Sequence, residues 1–238
     1  MIAAVTFDAG QTLIGLDHAM LAARLAERGV TIGPAALAAA QPAAWQRYEQ
    51  AVRAGGHDRP WQSFMAGLMI DAAAGALAAE AADDLAAWLW SEQPRRNLWR
   101  RPVDGMIELV RDLRAAGIAV AVISNSEGRL AELFVELGWG DEFAAVIDSG
   151  RVGIDKPDPR IFALALEVVG GGAVGSEAVV HVGDSRVADV DGARAVGWRS
   201  IWFGATAAAT GGWGDPGVAI AADAEECRAA LAAWGAAV

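Results

Sequence analysis

The sequence has a single cysteine and a single lysine, and this scarcity limits its chemistry. Cys227 has no partner for an internal disulfide bond, and a cysteine-based zinc site would need several thiolates. Lys156 is the only lysine among 19 lysine and arginine residues. Because a compact ammonium and a planar guanidinium are not interchangeable, a lone lysine suggests a chemical role.

Long apolar segments and an excess of positive charge are also missing. The longest apolar runs, such as residues 115–123, are far shorter than the roughly 20 residues that span a bilayer, and no signal-peptide pattern opens the sequence. The formal net charge is −11, and so acidic a surface repels phosphate backbones and anionic lipids. We therefore expect a cytoplasmic protein, a monomer or homodimer, that binds neither nucleic acid nor membranes.

Strand and helix patterns alternate through most of the chain. Five short apolar runs predict buried strands, with helical patterns between the later ones: residues 3–7, 118–123, 144–147, 178–182 and 200–203. This alternation predicts an α/β fold with a doubly wound, Rossmann-like parallel sheet. A Gly-, Ala- and Thr-rich loop is expected at 204–217.

One long section interrupts the alternation directly after the first strand. Residues 16–100 show no strand pattern and are rich in Ala, Leu, Glu and Arg, with helical spacing in 19–26 and 61–77 and a break expected at Gly55-Gly56. We predict a core domain of residues 1–15 and 101–238, with residues 16–100 inserted as an α-helical cap domain.

Polar residues follow four of the predicted strands at their carboxyl ends. They are Asp8 and Thr12, then Ser124 and Asn125, then Lys156, and finally Asp184 and Asp189. Ligands of open α/β sheets bind in the crevice at the carboxyl ends of the strands, so these side chains are expected to converge there. Three carboxylates suit Mg²⁺, and a carboxylate beside Mg²⁺ and a lysine can attack phosphorus.

Four segments in order resemble the motifs of one known family. They read FDAGQTL, VISNS, KPDPRIF and HVGDSRVADVDGARAVGW. The chain resembles the haloacid dehalogenase (HAD) superfamily hydrolases, in the subfamily whose helical C1-type cap lies between the first two motifs. The resemblance covers about residues 1–15 and 101–203, whereas the cap matches only in position and helical character.

The resemblance implies a Mg²⁺-dependent phosphatase acting on a small phosphorylated metabolite through an aspartyl-phosphate on Asp8. The predicted catalytic residues are Asp8, Ser124, Asn125 and Lys156; the predicted substrate-binding residues are Thr12, Ser124, Asn125 and Lys156; the predicted metal ligands are Asp8, the Gly10 carbonyl, Asp184 and Asp189.

The first motif departs from the family pattern D-x-D-G-T. Gly10 stands where phosphatases of this family carry the acid that protonates the leaving oxygen and then activates water, and Gln11 stands where they carry glycine. Neither side chain transfers protons at neutral pH. Loss of one acid/base group costs on the order of 10²–10⁴ in rate, which predicts slow turnover. Gln11 could orient a water without deprotonating it, and the imidazole of His18 could supply the proton.

Three alternatives follow from that departure. A catalytically retired HAD domain would bind a phosphorylated ligand or a protein partner. A 2-haloacid dehalogenase is less favoured, because such enzymes resemble FDAYGTL, use no metal and lack the Gly183-Asp184-Ser185 pattern. Phosphonatases form a Schiff base with a cap lysine, and residues 16–100 contain no lysine. His181 is expected to be a packed core side chain, and four tryptophans of the predicted cap are expected to pack: Trp45, Trp61, Trp88 and Trp90.

Overall fold

The computed structural model describes residues 1–54, 59–170, 174–205 and 214–238. The break expected at Gly55-Gly56, His57, and residues 206–213 of the predicted loop lie outside the described residues. The chain divides into two compact units. The core unit contains Met1–Gly15 and Arg100–Val238, and the helical unit contains Leu16–Trp99. The role of the helical unit as a cap stays a prediction.

The strands of the described residues are β1 (Ala4–Phe7), β2 (Ile14–Leu16), β3 (Trp99–Pro102), β4 (Ala119–Ser124), β5 (Ala145–Asp148), β6 (Val179–Gly183), β7 (Arg199–Phe203) and β8 (Val218–Ala221). Six of them form the parallel sheet of the core unit, in the order β5-β4-β1-β6-β7-β8. β2 and β3 form a separate two-stranded sheet. The predicted doubly wound α/β fold is confirmed, and β1 lies between β4 and β6 at its centre.

The described residues of the helical unit form four helices. They are α1 (His18–Ala26), α2 (Pro34–Arg53), α3 (Pro60–Ala72) and α4 (Ala79–Glu92). The Asp17 side chain caps α1 by accepting a hydrogen bond from the Met20 N–H at 2.9 Å. Trp61 packs on Trp90 with ring centroids 5.3 Å apart, as the packing prediction expected. No helix in the described ranges is both long and apolar enough to cross a membrane.

The helices of the core unit connect and flank the parallel strands. They are α5 (Met106–Ala115), α6 (Leu130–Glu136), α7 (Ser149–Val152), α8 (Pro159–Gly170), α9 (Gly192–Ala195) and α10 (Ala224–Ala233), with a 3₁₀ turn at Ser176–Ala178 and a π-helical segment at Arg186–Asp191. The sequence predicts a helical pattern between the strands at 178–182 and 200–203. The structure places there a π turn before the short α9, and this turn carries the predicted metal ligand Asp189.

Candidate active site

Asp8 comes directly after the central strand β1, all of whose residues are buried. Its backbone N–H donates to the Val182 carbonyl at 2.8 Å, which continues the parallel pairing with β6 one residue beyond the strand. The Asp8 side chain keeps 11 % of its surface exposed, against 1 % for the Asp189 side chain. Of these two carboxylates, Asp8 is therefore the one that a ligand can reach.

The only lysine of the chain lies against Asp8. Lys156 Nζ donates to Asp8 Oδ1 at 2.7 Å, to Asp189 Oδ1 at 2.6 Å and to the Ile123 carbonyl at 2.6 Å. An ammonium group has three donors, so the three acceptors use all of them. The lysine is 4 % exposed, and a charge buried this deeply requires such partners.

Asn125 fixes the backbone at Lys156. Its Oδ1 accepts from the Lys156 N–H at 2.8 Å, and its Nδ2 donates to the Lys156 carbonyl at 3.0 Å. The predicted catalytic and substrate-binding role of Asn125 stays a prediction, but this reciprocal pair shows that Asn125 positions the lysine. The neighbouring Ser124, the last residue of β4, is buried at 4 % exposure.

Asp189 accepts hydrogen bonds through both of its carboxylate oxygens. Oδ1 accepts from Lys156, and Oδ2 accepts from the Ser185 N–H at 2.8 Å. A Cβ added at Gly183 would lie 2.3 Å from Asp189 Cγ, so only glycine at this position lets the carboxylate fold back against the end of β6. Asp189 lies in the π-helical segment Arg186–Asp191, and such segments often occur at functional sites.

Burial and the nearby charges shift the pKa of each of these groups. Burial raises the pKa of Asp8, against the opposing effect of Lys156. Burial acts in the same direction on Asp189, but Lys156 and the hydrogen bond from His181 hold the pKa of that carboxyl well below its usual range. Burial disfavours the ammonium, yet Asp189 and Asp8 together raise the pKa of Lys156 above its ordinary value. Lys156 and Asp189 therefore form a fixed ion pair beside Asp8.

Asp8, Asp184 and Asp189 each offer an oxygen within 4.8 Å of the others. Carboxylate oxygens at this spacing are hard donors of the kind that Mg²⁺ prefers, so the group fits the predicted ion. The Trp202 indole N–H donates to the Asp184 carbonyl at 2.9 Å and fixes the backbone there. Asp8 and Asp184, with the Gly10 carbonyl, would hold the ion. Asp189, the fourth predicted ligand, also accepts a hydrogen bond from Lys156.

The loop after Asp8 shows the backbone conformation at one departure from the family motif. Gln11, which replaces the usual glycine, has φ +58°, a left-handed conformation that glycine adopts without strain. Its Nε2 and the Oγ1 of Thr12 are buried without a hydrogen-bond partner in the described part of the chain. The proposed roles of both residues stay predictions.

The sequence reasoning missed the role of one histidine. His181 is fully buried and packs edge-on against Phe162, as expected of a core side chain, but its Nε2 also lies 3.1 Å from Asp189 Oδ1. Its Nδ1 lies 2.8 Å from Thr6 Oγ1. Thr6 and His181 are register partners in neighbouring strands. Thr6 is two residues before Asp8 and therefore on the same face, which was the available signal.

His18 belongs to the other unit. It is the first residue of α1, and its Nε2 lies 2.5 Å from Gln41 Oε1. Its proposed compensation for the missing acid stays a prediction.

A partly accessible carboxylate, a buried lysine and an acidic cluster lie together at the carboxyl end of a doubly wound α/β sheet. The family model described as haloacid dehalogenase-like hydrolase matches residues 2–197, and the chain belongs to this family.

Individual proteins of this family are similar to the chain in sequence or in fold. Haloacid dehalogenase-like hydrolase domain-containing protein 3 of Homo sapiens is 32 % identical over 213 residues, which are 83 % of this chain and 80 % of that protein. Phosphoserine phosphatase of Thermus thermophilus is 41 % identical over 92 residues, only 38 % of this chain and 36 % of that protein. The magnesium-bound HAD hydrolase YfnB of Bacillus subtilis has the same fold, with TM-score 0.70 at 18 % identity, covering 97 % of this chain and 98 % of its own.

Proposed function

We propose that the protein is a Mg²⁺-dependent phosphatase of small phosphorylated metabolites that works through an aspartyl-phosphate on Asp8. The observation that carries this proposal is the position of Asp8. Of the two carboxylates that bond Lys156, Asp8 is the more exposed. It also belongs to the cluster of three acids whose oxygens lie within 4.8 Å of one another. The phosphatase and magnesium-bound relatives support the same function.

The proposed reaction has two displacements at phosphorus. A carboxylate oxygen of Asp8 forms a bond to phosphorus as the ester P–O bond breaks, and the leaving oxygen departs with the bonding electrons. Water then attacks the same phosphorus, the bond to Asp8 breaks, and inorganic phosphate leaves. Bound Mg²⁺ would supply charge neutralisation at the phosphoryl oxygens. Lys156 holds Asp8 in place and stabilises its ionised form.

The glycine at position 10 determines which substrates react fastest. Gly10 cannot protonate a leaving alkoxide, so the first step is fastest for esters whose leaving group is stable as an anion. Aryl and acyl phosphates belong to this class, and simple alkyl phosphates do not. Because Gly10 also cannot activate water, the second step is slow and the phospho-enzyme is expected to accumulate.

The experiment is a panel of aryl, acyl and alkyl phosphates, incubated with and without Mg²⁺. Wild type should hydrolyse the aryl and acyl esters only with the ion, and Asp8→Asn should abolish the reaction. Asp158→Asn is the matched control, since Asp158 pairs with Arg160 on the surface. Failure of the wild type to hydrolyse any activated phosphate ester would overturn the proposal.

The missing acid also favours a second candidate, a retired domain that binds a phosphorylated ligand without turnover. That function predicts that a phosphate ester with Mg²⁺ raises the melting temperature while no phosphate is released. The same panel, read by thermal shift and phosphate release, distinguishes the two functions. The acidic cluster weighs against the dehalogenase alternative, whose chemistry uses no metal.

A further inference from the structure

A chain of buried hydrogen bonds runs behind the site, from β1 to Asp8 itself. Thr6 Oγ1 lies 2.8 Å from His181 Nδ1, and His181 Nε2 lies 3.1 Å from Asp189 Oδ1. The same oxygen of Asp189 accepts from Lys156, which donates to Asp8. Thr6 and His181 are 0 % exposed, so neither can contact a ligand directly.

The hydrogen-bond partners of the His181 ring show which of its nitrogens carries the hydrogen. Asp189 Oδ1 already accepts a hydrogen bond from the Lys156 ammonium, so His181 Nε2 carries the hydrogen of the bond between His181 and the same oxygen. In the neutral ring Nδ1 is then an acceptor, and the Thr6 hydroxyl is the donor that faces it. The other acceptor within reach of that hydroxyl, the Val180 carbonyl, is farther away at 3.5 Å.

Packing alone does not explain a histidine at this position. The ring meets Phe162 edge-on at 5.5 Å, a contact that a phenylalanine could make equally well. An imidazole in a fully buried strand is costly unless both nitrogens are bonded. His181 meets this requirement by bonding Asp189 on one side and its register partner Thr6 on the other.

We propose that Thr6 and His181 are positioning residues: the Thr6 hydroxyl fixes the imidazole so that its Nε2–H donates to Asp189 and holds that carboxylate against Lys156. Without this bond the carboxylate can turn away from the ammonium. Lys156 then pairs with Asp8 alone, and the carboxylate that must attack phosphorus is held more tightly. The effect on turnover rests on the proposed function, whereas the effect on Lys156 does not.

Two substitutions of His181 separate positioning from packing. His181→Phe keeps the ring and its contact with Phe162 but removes the donor, whereas His181→Gln loses the ring but can place an amide N–H near Asp189. We expect kcat for an aryl phosphate with Mg²⁺ to fall by roughly 10- to 100-fold in the first variant, with KM little changed. The second variant should recover part of this loss. A Phe variant as active as wild type, or more active than the Gln variant, would overturn the proposal.

The single lysine allows a test that needs no phosphatase activity. Reductive methylation can modify only Lys156 and the N-terminal amine, and peptide mass spectrometry separates the two. We expect methylation of Lys156 to be at least several-fold faster in His181→Phe than in wild type, and slower in His181→Gln than in His181→Phe. Urea unfolding of each variant shows whether a change in global stability accounts for the rates. Equal methylation of all three proteins would contradict the proposal even if none of them hydrolyses phosphate.

The role of the Thr6 hydroxyl can be tested by measuring which nitrogen of His181 carries the hydrogen. Long-range ¹H–¹⁵N spectra of the three histidine rings should show His181 as the Nε2–H form in wild type and in Thr6→Ser, and a changed Nδ1 shift in Thr6→Val. Ser200→Ala is the matched control, because Ser200 is equally buried and its hydroxyl donates to the backbone carbonyl of His181, at 3.2 Å, and not to the ring. An Nδ1–H tautomer in wild type, or an unchanged ring in Thr6→Val, would overturn the assignment.

Discussion

Replacement of Lys156 by methionine should destabilise the protein more than any surface change. Methionine fills a similar volume but removes the ammonium that bonds Asp8, Asp189 and the Ile123 carbonyl at 2.6–2.7 Å. Two buried carboxylates then lose their counter-ion, a change that costs about 3–5 kcal/mol. Since domains of this kind are stable by about 5–15 kcal/mol, the loss is a large share of the total.

The pH range of this effect follows from the direction of each pKa shift. The pKa of Lys156 is raised on folding, so its stabilisation is complete below the unfolded pKa of the lysine and is lost as pH rises through the folded value. The pKa of Asp189 is lowered, so its stabilisation is present above the unfolded pKa of the carboxyl and is lost as pH falls through the folded value. Both are present near neutral pH, where the variant should be compared with wild type.

The assay is equilibrium urea unfolding at pH 7 in EDTA, so that no divalent ion replaces the ammonium. Arg160→Met is the control, since it breaks an exposed pair with Asp158 and should change stability little. Adding Asp8→Asn to Lys156→Met should restore part of the loss, because one uncompensated carboxylate is removed. If Lys156→Met unfolds within about 0.5 kcal/mol of wild type, the reasoning about the buried ion pair is refuted.

Three further predictions concern single positions. Gly10→Asp should raise the rate of alkyl phosphate hydrolysis by up to about 10²–10⁴-fold, because the new acid can supply the proton and the φ of Gly10 lies outside the left-handed region. If an initial-rate assay shows no gain, the missing acid is not what limits the rate of hydrolysis. Burial raises the pKa of Cys227 to about 12, so a thiol reagent followed by absorbance should react only as the protein unfolds, and rapid reaction in native buffer would contradict this burial. Gly150→Ala should lower the free energy of unfolding in urea by roughly 1–3 kcal/mol, because its Cβ would lie 2.5 Å from the Gly128 N. Gly33→Ala, with nothing within 4 Å, is the control, and equal losses in the two would refute the steric argument.

The fold could be predicted from the sequence because its strands are short, apolar and separated by helical patterns. The doubly wound sheet follows from this alternation, and the convergence of Asp8, Lys156 and Asp189 follows from the position of each beyond a strand. The strand β8 was missed, because Val218–Ala221 is a brief apolar run next to a Gly-rich segment predicted as loop.

The hydrogen-bond chain behind the site could not be predicted from local patterns. Burial of His181 could be inferred from its apolar neighbours, but its pairing with Thr6 depends on the register between β1 and β6, which are 175 residues apart in sequence. The hydrogen bond between the Asn125 side chain and the Lys156 backbone also joins two loops distant in sequence. The π turn before α9 depends on a shift of helical register that neither composition nor periodicity shows.

The most direct test of the proposed function is the mass of the intact protein after reaction with an aryl phosphate and Mg²⁺, quenched rapidly in acid. The account predicts that wild type gains one phosphoryl group, mapped by peptide mass spectrometry to Asp8, and that Asp8→Asn gains none. Because Gly10 cannot activate water, the phosphorylated form should accumulate before the quench. Phosphate release by Asp8→Asn at the wild-type rate, or turnover by wild type with no phosphoryl group on Asp8 at any quench time, would contradict the account.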